Sequence, residues 1–492
     1  MINQRVVPSQ LEKFRQSLDR PDLITYLRNG LIGDNIGVPG PNGPNPMIYA
    51  DYVASGRALQ QVEDFVSVEV LPFYANSHTE ASYCGRMMTR MRGAARDIIC
   101  KSCGGDDRHA VVFAGSGATA GLNRLVSLFG VSADVQAGKT PLILIGPYEH
   151  HSNILPWRES GAEVIEVPEA ATGGPDLENL ETLLKKETGR LIVGAFSAAS
   201  NVTGVVSDVV AVTRLLKSYD ALSIWDFAGG APYLPIDLGT GTDAEIDAIV
   251  LSPHKFIGGP SASGVLILRR DAVTITQPTL PGGGTVLFVS PWAHDYSPDV
   301  VSREEAGTPN VVGDIRAALC FLVKDAIGQD LIDQRLQDIR RTALQVWEQT
   351  PGLHILGNQS AKRVLPIFSF QVSDLSGNPI HQQLFTRMLS DLFGIQARGG
   401  CACAGPYAHR LLGIESGRSD QLRHVILDGQ EIEKPGWTRL GFSVLMSEEK
   451  VQKIIHAVDT LVRDPRPFCD NYLVDENTAR FIREDAEASL FV

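Results

Sequence analysis

The sequence predicts an α/β fold, with a large domain on a mainly parallel sheet followed by a smaller α+β domain. Three observations carry this prediction. Between about residues 110 and 270, seven short apolar runs alternate with segments of helical period. Beyond about residue 310 a long helical stretch begins, and a different pattern of strands and helices follows it. The chain has 492 residues, 43% hydrophobic and 21% charged, which is enough for more than one core.

Residues 1–47 contain a Gly-, Pro- and Asn-rich stretch from Gly30 to Pro46 and read as an N-terminal arm rather than as core. The large domain is expected over 48–310. Its runs are AVVFAG, PLILIG, AEVIEV, RLIVGAF, ALSIWD, DAIVLS and GVLILR. Strands covered by helices on both faces are apolar throughout rather than alternating, and these runs fit that rule. The small domain is expected over 311–463. Val311 to Thr350 predicts helix broken near Gly328, VLPIFSFQV and TRLGFSVLM predict strands, and HQQLFTRMLSDLF and SEEKVQKIIHAVDTLV predict amphipathic helices. Residues 464–492 are left as a C-terminal tail.

Charge and cysteine usage exclude several functions. Lys plus Arg number 44 against 57 Asp plus Glu, a net charge of −13, so neither nucleic acid nor an anionic membrane is an expected partner. No run approaches the ~20 apolar residues of a membrane span, and the first twenty residues mix charges where a secretion signal would be apolar. Seven cysteines, an odd number in a long chain, predict reduced thiols and a cytoplasmic protein.

In an open α/β sheet, ligands gather beyond the carboxyl ends of the strands. Five consecutive tips here are polar: SGATAGLN, PYEHHSN, SAASN, Asp226 and SPHK. The loop Gly115 to Gly121 lies between a strand and a helix, where backbone N–H groups suit a phosphate. Read literally, it also matches the G-x-G-x-x-A of a dinucleotide site with Glu149 after the next strand, so a nicotinamide-dependent dehydrogenase is one reading. Lys255 at the tip of DAIVL and Asp226 at the tip of ALSIW favour another. Pyridoxal phosphate needs a lysine for its imine, an acid for its ring nitrogen and a phosphate cup, and all three stand at separate strand tips.

From about Ile48 to Val462 the chain resembles the class V, fold-type I pyridoxal-phosphate enzymes, particularly the cysteine desulfurase and selenocysteine lyase branch. The segments that carry the resemblance are SGATAGLN, YEHHSNILPW, FSAASNVTG, WDFAGGAP, LSPHKFIGGPSASGVL, EEAGTPN, and RGGCACAGP followed by TRLGFSVLMSEE. The resemblance implies a covalent aldimine between Lys255 and the cofactor. Ala118, Thr119, Ala228, Ser252 and His254 would bind the cofactor, His150 would stack on its ring and relay protons as a catalytic residue, Asn201 would lie near the ring hydroxyl, and Asp226 would meet the ring nitrogen. Thr308 would reach the phosphate of a neighbouring subunit, which implies a homodimer. Arg398 and Arg439 offer planar forks for a substrate carboxylate.

The implied reaction converts L-cysteine to L-alanine, with the sulfur held as an enzyme persulfide and passed to an acceptor protein. The same scaffold also serves selenocysteine lysis, transamination and epimerisation. Two departures from the family pattern stand out. Gly229 occupies a position where desulfurases commonly carry Gln. Family members with a short cysteine loop have two His immediately before the nucleophile, where this chain has Cys401-Ala402. The nucleophile is expected to be Cys403 by its spacing from Arg398, with Cys401 as the alternative. Cys100-x-x-Cys103 and Cys401-x-Cys403 do not have the paired spacing of a structural zinc site, so no metal is expected.

Overall fold

The computed structural model describes residues 9–77, 79–187 and 189–483. All seven apolar runs become strands of a single sheet: His109–Gly115 (β1), Leu142–Ile145 (β2), Glu163–Glu166 (β3), Ile192–Ser197 (β4), Leu222–Asp226 (β5), Ala248–Leu251 (β6) and Gly264–Arg269 (β7). Their order across the sheet is β1-β7-β6-β5-β4-β2-β3. Neighbours from β6 to β3 run parallel, while β7 is antiparallel to both β1 and β6. The carboxyl ends of β1, β2, β4, β5 and β6 therefore share one edge of the sheet, and the five polar tips open there.

Helices close both faces. Tyr83–Ser102 (α1) and Val311–Ile327 (α3) pack on one, burying Met88, Met91, Ala95 and Ile99 of α1. Gly117–Leu128 (α2) packs on the other through Leu122 and Leu125. Gly117 and Gly264 allow α2 to start hard against the sheet. A Cβ on Gly264 would fall 2.3 Å from the backbone of Gly117, and Gly117 itself has φ +59°.

The small domain carries an antiparallel sheet of Leu353–Ile355 (β8), Ile367–Ser373 (β9), Arg398–Gly400 (β10) and Trp437–Gly441 (β11), in the order β8-β9-β11-β10. Gln382–Phe393 (α5) and Glu448–Arg463 (α6) cover it. Trp347 stands at the centre of that core, edge-on to Phe368 with 4.9 Å between ring centroids.

Three expectations about segment boundaries need correction. Residues 10–29 are not a free arm, because helices Gln10–Ser17 and Leu23–Asn29 bury Leu11, Phe14, Leu23 and Leu27 in the large core. Helix α3, assigned from sequence to the small domain, also contributes to the large core, whereas Ile48, Ala50 and Tyr52 pack into the small one. The break at Gly328, with φ 84°, leads into Gln329–Trp347 (α4), which buries Ile332 and Leu336 in the large core and Ile339, Ala343 and Trp347 in the small. Finally, the tail does not hang free as far as residue 483. The hairpin Tyr472–Asp475 with Arg480–Arg483 packs Tyr472 and Phe481 against the small core, and Tyr472 Oη donates to Asp391 at 3.1 Å. Residues 1–8 of the arm and 484–492 of the tail lie outside the described residues. Among the described residues, no helix is long and apolar enough to cross a membrane.

Candidate active site

A cavity of about 220 Å³ opens at the carboxyl edge of the large sheet. The first turn of α2 lines it with Ala118 and Thr119, the loop after β2 with His150 and Ser152, the loop after β4 with Asn201, β5 with Asp226 and Ala228, and the turn after β6 with Ser252, His254 and Lys255. These residues are far apart in sequence. The parallel register of β2, β4, β5 and β6 brings their tips to one level.

Asp226 is buried, and one of its carboxylate oxygens accepts from Ala228 N at 2.7 Å. Burial raises its carboxyl above the ordinary range, while the Ala228 amide and the nearby Lys255 pull the other way. Burial likewise lowers the Lys255 amine, and Asp226 counters this. Each charge opposes the desolvation of the other, as expected for a facing acid and base in a site shielded from water. Among the described residues, Lys255 Nζ makes no hydrogen bond or ion pair, so its terminal nitrogen is open to the cavity. His150 accepts from Ser152 N at 3.1 Å through Nδ1, and burial with Lys255 close by lowers it to about 4. His254 is lowered to about 4 by the same two causes. Both imidazoles are therefore neutral at physiological pH.

The cavity suits a small anionic ring compound. Backbone N–H groups of the α2 start and the hydroxyls of Thr119, Ser152 and Ser252 gather at one end. Ser252 Oγ accepts from Ala118 N at 3.0 Å, and Thr119 Oγ1 lies 2.7 Å from Ser152 Oγ. Among the described residues, Asn201 Oδ1 is buried without a hydrogen-bond partner, an acceptor left for a ligand.

Above the cavity, Arg398 and Arg439 stand opposite each other on β10 and β11. Asp51 joins them, accepting from Arg398 Nε and from an Arg439 terminal nitrogen, each at 2.8 Å. A second Arg439 nitrogen donates to the carbonyl of Asn201 at 3.0 Å, and Arg439 Nε is buried and unpartnered. The cysteine segment follows β10. Asn201 Nδ2 donates to Ala402 O, and His151 N donates to Cys403 O, both at 2.9 Å. Cys403 is exposed, and Cys401 is half-buried against Tyr148, Tyr407 and Trp437.

The sequence matches the aminotransferase class-V family over residues 48–454. The chain belongs to this family. It is 27% identical over 422 residues to a probable cysteine desulfurase of Vibrio cholerae, covering 85% of this chain and 94% of that one. It is 29% identical over 367 residues to a cysteine desulfurase of Pectobacterium atrosepticum, covering 73% and 85%. In fold it is similar to the apo cysteine desulfurase of Thermococcus onnurineus NA1, with a TM-score of 0.70 at 23% identity, covering 85% of this chain and 94% of the other.

In this class-V chain, Ala118, Thr119, His150, Asn201, Asp226, Ala228, Ser252, His254 and Lys255 line a single cavity. Arg398, Arg439 and Cys403 are tied to its rim through Asp51 and Asn201. Thr308 is not among the lining residues: it is exposed in the turn before α3. Gly229 does line the cavity, and a Cβ there would meet nothing closer than 3.5 Å, so the missing Gln side chain leaves open space rather than a blocked site.

The nicotinamide reading fails on two counts. The glycine loop follows β1, an edge strand whose neighbour β7 is antiparallel. Glu149 points inward, accepting from Ser197 N and Ser197 Oγ at 2.7 Å and from Asn153 Nδ2 at 2.5 Å, and so is not offered to a ribose. Sequence reasoning missed Asp51 and the hold of His151 on the cysteine segment, through its N–H to Cys403 O and its Nε2, which accepts from Gly405 N. Asp51 lies 347 and 388 positions from its two arginines, and the pairing of Ile48–Tyr49 with Ile395–Gln396, together with a bridge from Asp51 to Gly441, brings it there.

Glu149 supports a pH prediction. Burial pushes its carboxyl up to about 7 against the pull of its Ser197 and Asn153 donors. The folded value lies above the ordinary 4.5, so the folded state holds this proton more tightly. The resulting stability is full below about 4.5 and is lost as pH rises through about 7. Glu149→Gln is expected to flatten the fall in urea midpoint across that window, and a variant with the parent's slope would contradict the assignment.

Proposed function

We propose that this chain is a pyridoxal-phosphate-dependent cysteine desulfurase that converts L-cysteine to L-alanine and takes the sulfur onto Cys403. One observation carries the reading: Lys255 and Asp226 face each other in a polar cavity whose rim is tied, through Asn201, to both a paired-arginine clamp and a cysteine turn. Relatives along most of the chain that are named cysteine desulfurases support it.

In this reading Lys255 Nζ is the attachment point for the cofactor, the α2 start with Thr119, Ser252 and His254 receives its phosphate, and Asp226 faces its ring nitrogen. Pyridoxal phosphate, when bound, supplies an electron sink for the carbon from which a proton is removed. The residues of the chain do the rest. Arg439 and Arg398, oriented by Asp51, receive the substrate carboxylate in a fork-to-fork arrangement. The Lys255 amine, lowered by burial, removes the α-proton as a general base and returns a proton to carbon. Neutral His150, which lines the same cavity, would pack over the ring of the bound cofactor. Cys403, exposed at the rim, attacks the substrate sulfur: an S–S bond forms to Cys403 Sγ as the substrate Cβ–S bond breaks, and protonation at carbon leaves alanine. An acceptor protein then takes the sulfur from the exposed thiol.

The test is incubation of the reconstituted protein with L-cysteine and a thiol reductant, measuring alanine and sulfide together. Equal amounts of both are expected. 3-Mercaptopyruvate or racemised cysteine without sulfide would instead place the chain with the aminotransferases or epimerases of its family.

A homodimer in the cytoplasm is part of the same reading. All seven cysteines are free thiols, which suits a reducing compartment. The hairpin Val286–Val289 with His294–Tyr296 presents Leu287, Phe288 and Val289 to solvent, and Trp292 at its tip is 90% exposed. Gly307 N donates to Gly283 O at 2.8 Å, linking the base of this hairpin to the Thr308 turn. A contiguous apolar patch of this kind marks an interface, and a second copy covering it would bring Thr308 toward the partner's cavity. Light scattering is expected to give about twice 53.3 kDa, with Trp292→Asp shifting the mass toward one chain. A monomer with full activity would remove Thr308 from the site.

A further inference from the structure

Cys401 and Cys403 are the first and third residues of one tight turn. Ala404 N donates to Cys401 O at 3.2 Å, and Ala402 and Cys403 both adopt left-handed backbone, with φ 54° and 56°. Two successive positive φ values at the turn centre are those of a type I′ turn, where Asn-Gly is preferred and other residues sit against a steric cost. Three hydrogen bonds hold the turn. Asn201 Nδ2 binds Ala402 O, His151 N binds Cys403 O, and Gly405 N donates to His151 Nε2 at 2.9 Å, so one histidine grips the turn by both its backbone and its ring. Even a fully extended chain separates residues two apart by only ~7 Å, and a disulfide spans Cα distances of ~4.4–6.8 Å. The folded turn therefore holds the two backbone positions within the span of a disulfide, with Cys403 exposed and Cys401 half-buried against its neighbours.

We propose that Cys401 is a resolving thiol for Cys403, giving the protein a second activity: release of hydrogen sulfide with closure of a Cys401–Cys403 disulfide. This rests on the desulfurase reading, which places a persulfide on Cys403. The Cys401 thiolate attacks Cys403 Sγ. The new S–S bond joins the two side chains, the bond from Cys403 to the terminal sulfur breaks, and HS⁻ leaves with the proton given up by Cys401. The transferred sulfur is reduced to sulfide while the thiol pair is oxidised to disulfide, so no outside oxidant enters. Reopening the disulfide takes two electrons from a dithiol reductant of the thioredoxin class. A thiol in the same turn acts at the high effective concentration of an intramolecular partner. An acceptor protein, which attacks the terminal sulfur instead, has to reach it before the turn closes. Cys401 stands where the family resemblance places a histidine, so this branch of the chemistry is a property of this chain.

The test uses holoenzyme given one equivalent of L-cysteine without reductant, with alanine and free sulfide quantified and residues 401–403 examined by non-reducing mass spectrometry. Wild-type protein is expected to release close to one sulfide per alanine and to carry the Cys401–Cys403 link. In Cys401→Ser, the sulfide-to-alanine ratio is expected to fall toward zero, with the sulfur retained on Cys403 until dithiothreitol is added. A wild-type protein that forms alanine but keeps the persulfide as Cys401→Ser does overturns the proposal. If neither protein forms alanine, the desulfurase reading is what has failed. The thiol pair is then judged by diamide oxidation of the cofactor-free protein: a 401–403 link supports a closing pair, and its absence overturns it.

Discussion

Lys255→Ala is expected to abolish turnover of L-cysteine, a loss of about 10⁴-fold or more, the upper end of what positioned proton transfer supplies, because in the proposed reading the same amine also anchors the cofactor. Among the described residues the Lys255 amine has no hydrogen bond or ion pair to support its surroundings, so its removal should leave the fold intact. Borohydride treatment of wild-type protein with pyridoxal phosphate should fix a pyridoxyl group on the peptide containing Lys255, and the variant should take up none there. Labelling of another lysine, or turnover in the variant above a hundredth of wild type, would move the chemistry away from this residue.

Asp226→Asn is the second large effect expected. The amide oxygen can still accept from Ala228 N, the bond Asp226 makes at 2.7 Å, so the β5 tip should keep its shape. The charge is lost in a site where burial has already made it costly to hold. Removal of a preorganised electrostatic partner of this kind costs about 10²–10³ in turnover. A second readout separates this from simple damage. Asp226 holds the Lys255 amine up against its burial, so in the variant that amine should lose its proton at lower pH, and the acid limb of the pH–rate profile should move to lower pH. Near-normal turnover with full cofactor occupancy would contradict the role given to Asp226.

The parts of this site that were legible in the sequence share a physical reason. Strands buried on both faces must be apolar throughout, so the seven runs announce themselves, and any polar residue at a run's end stands out. Thr119, His150, Asn201, Asp226 and Lys255 are all such residues. Asp51, by contrast, belongs to no strand of the large sheet and becomes meaningful when its segment pairs with Ile395–Gln396 and bridges Gly441 in the other domain. The N-terminal helices were masked differently. Leu11, Phe14 and Leu18 carry an apolar face at helical spacing, but the charged residues between them read as a solvated leader. The geometry of the cysteine segment was also hidden: an extended loop would hold the two thiols apart, and only the backbone angles of Ala402 and Cys403 reveal a turn.

Helix α4 bears on how the two domains can move. It is a strut rooted at both ends, with Ile332 and Leu336 set in one core and Ile339, Ala343 and Trp347 in the other. Sliding one domain along the other would pull one of these sets into water, at about 1.5–3 kcal/mol for each large side chain. Twisting about the axis of the strut would instead pull at Ile367, Val444 and Leu445, which reach from the small domain into the large core away from that axis. The seam is pinned at more than one point, so the two cores should hold their relative position while the rim side chains move.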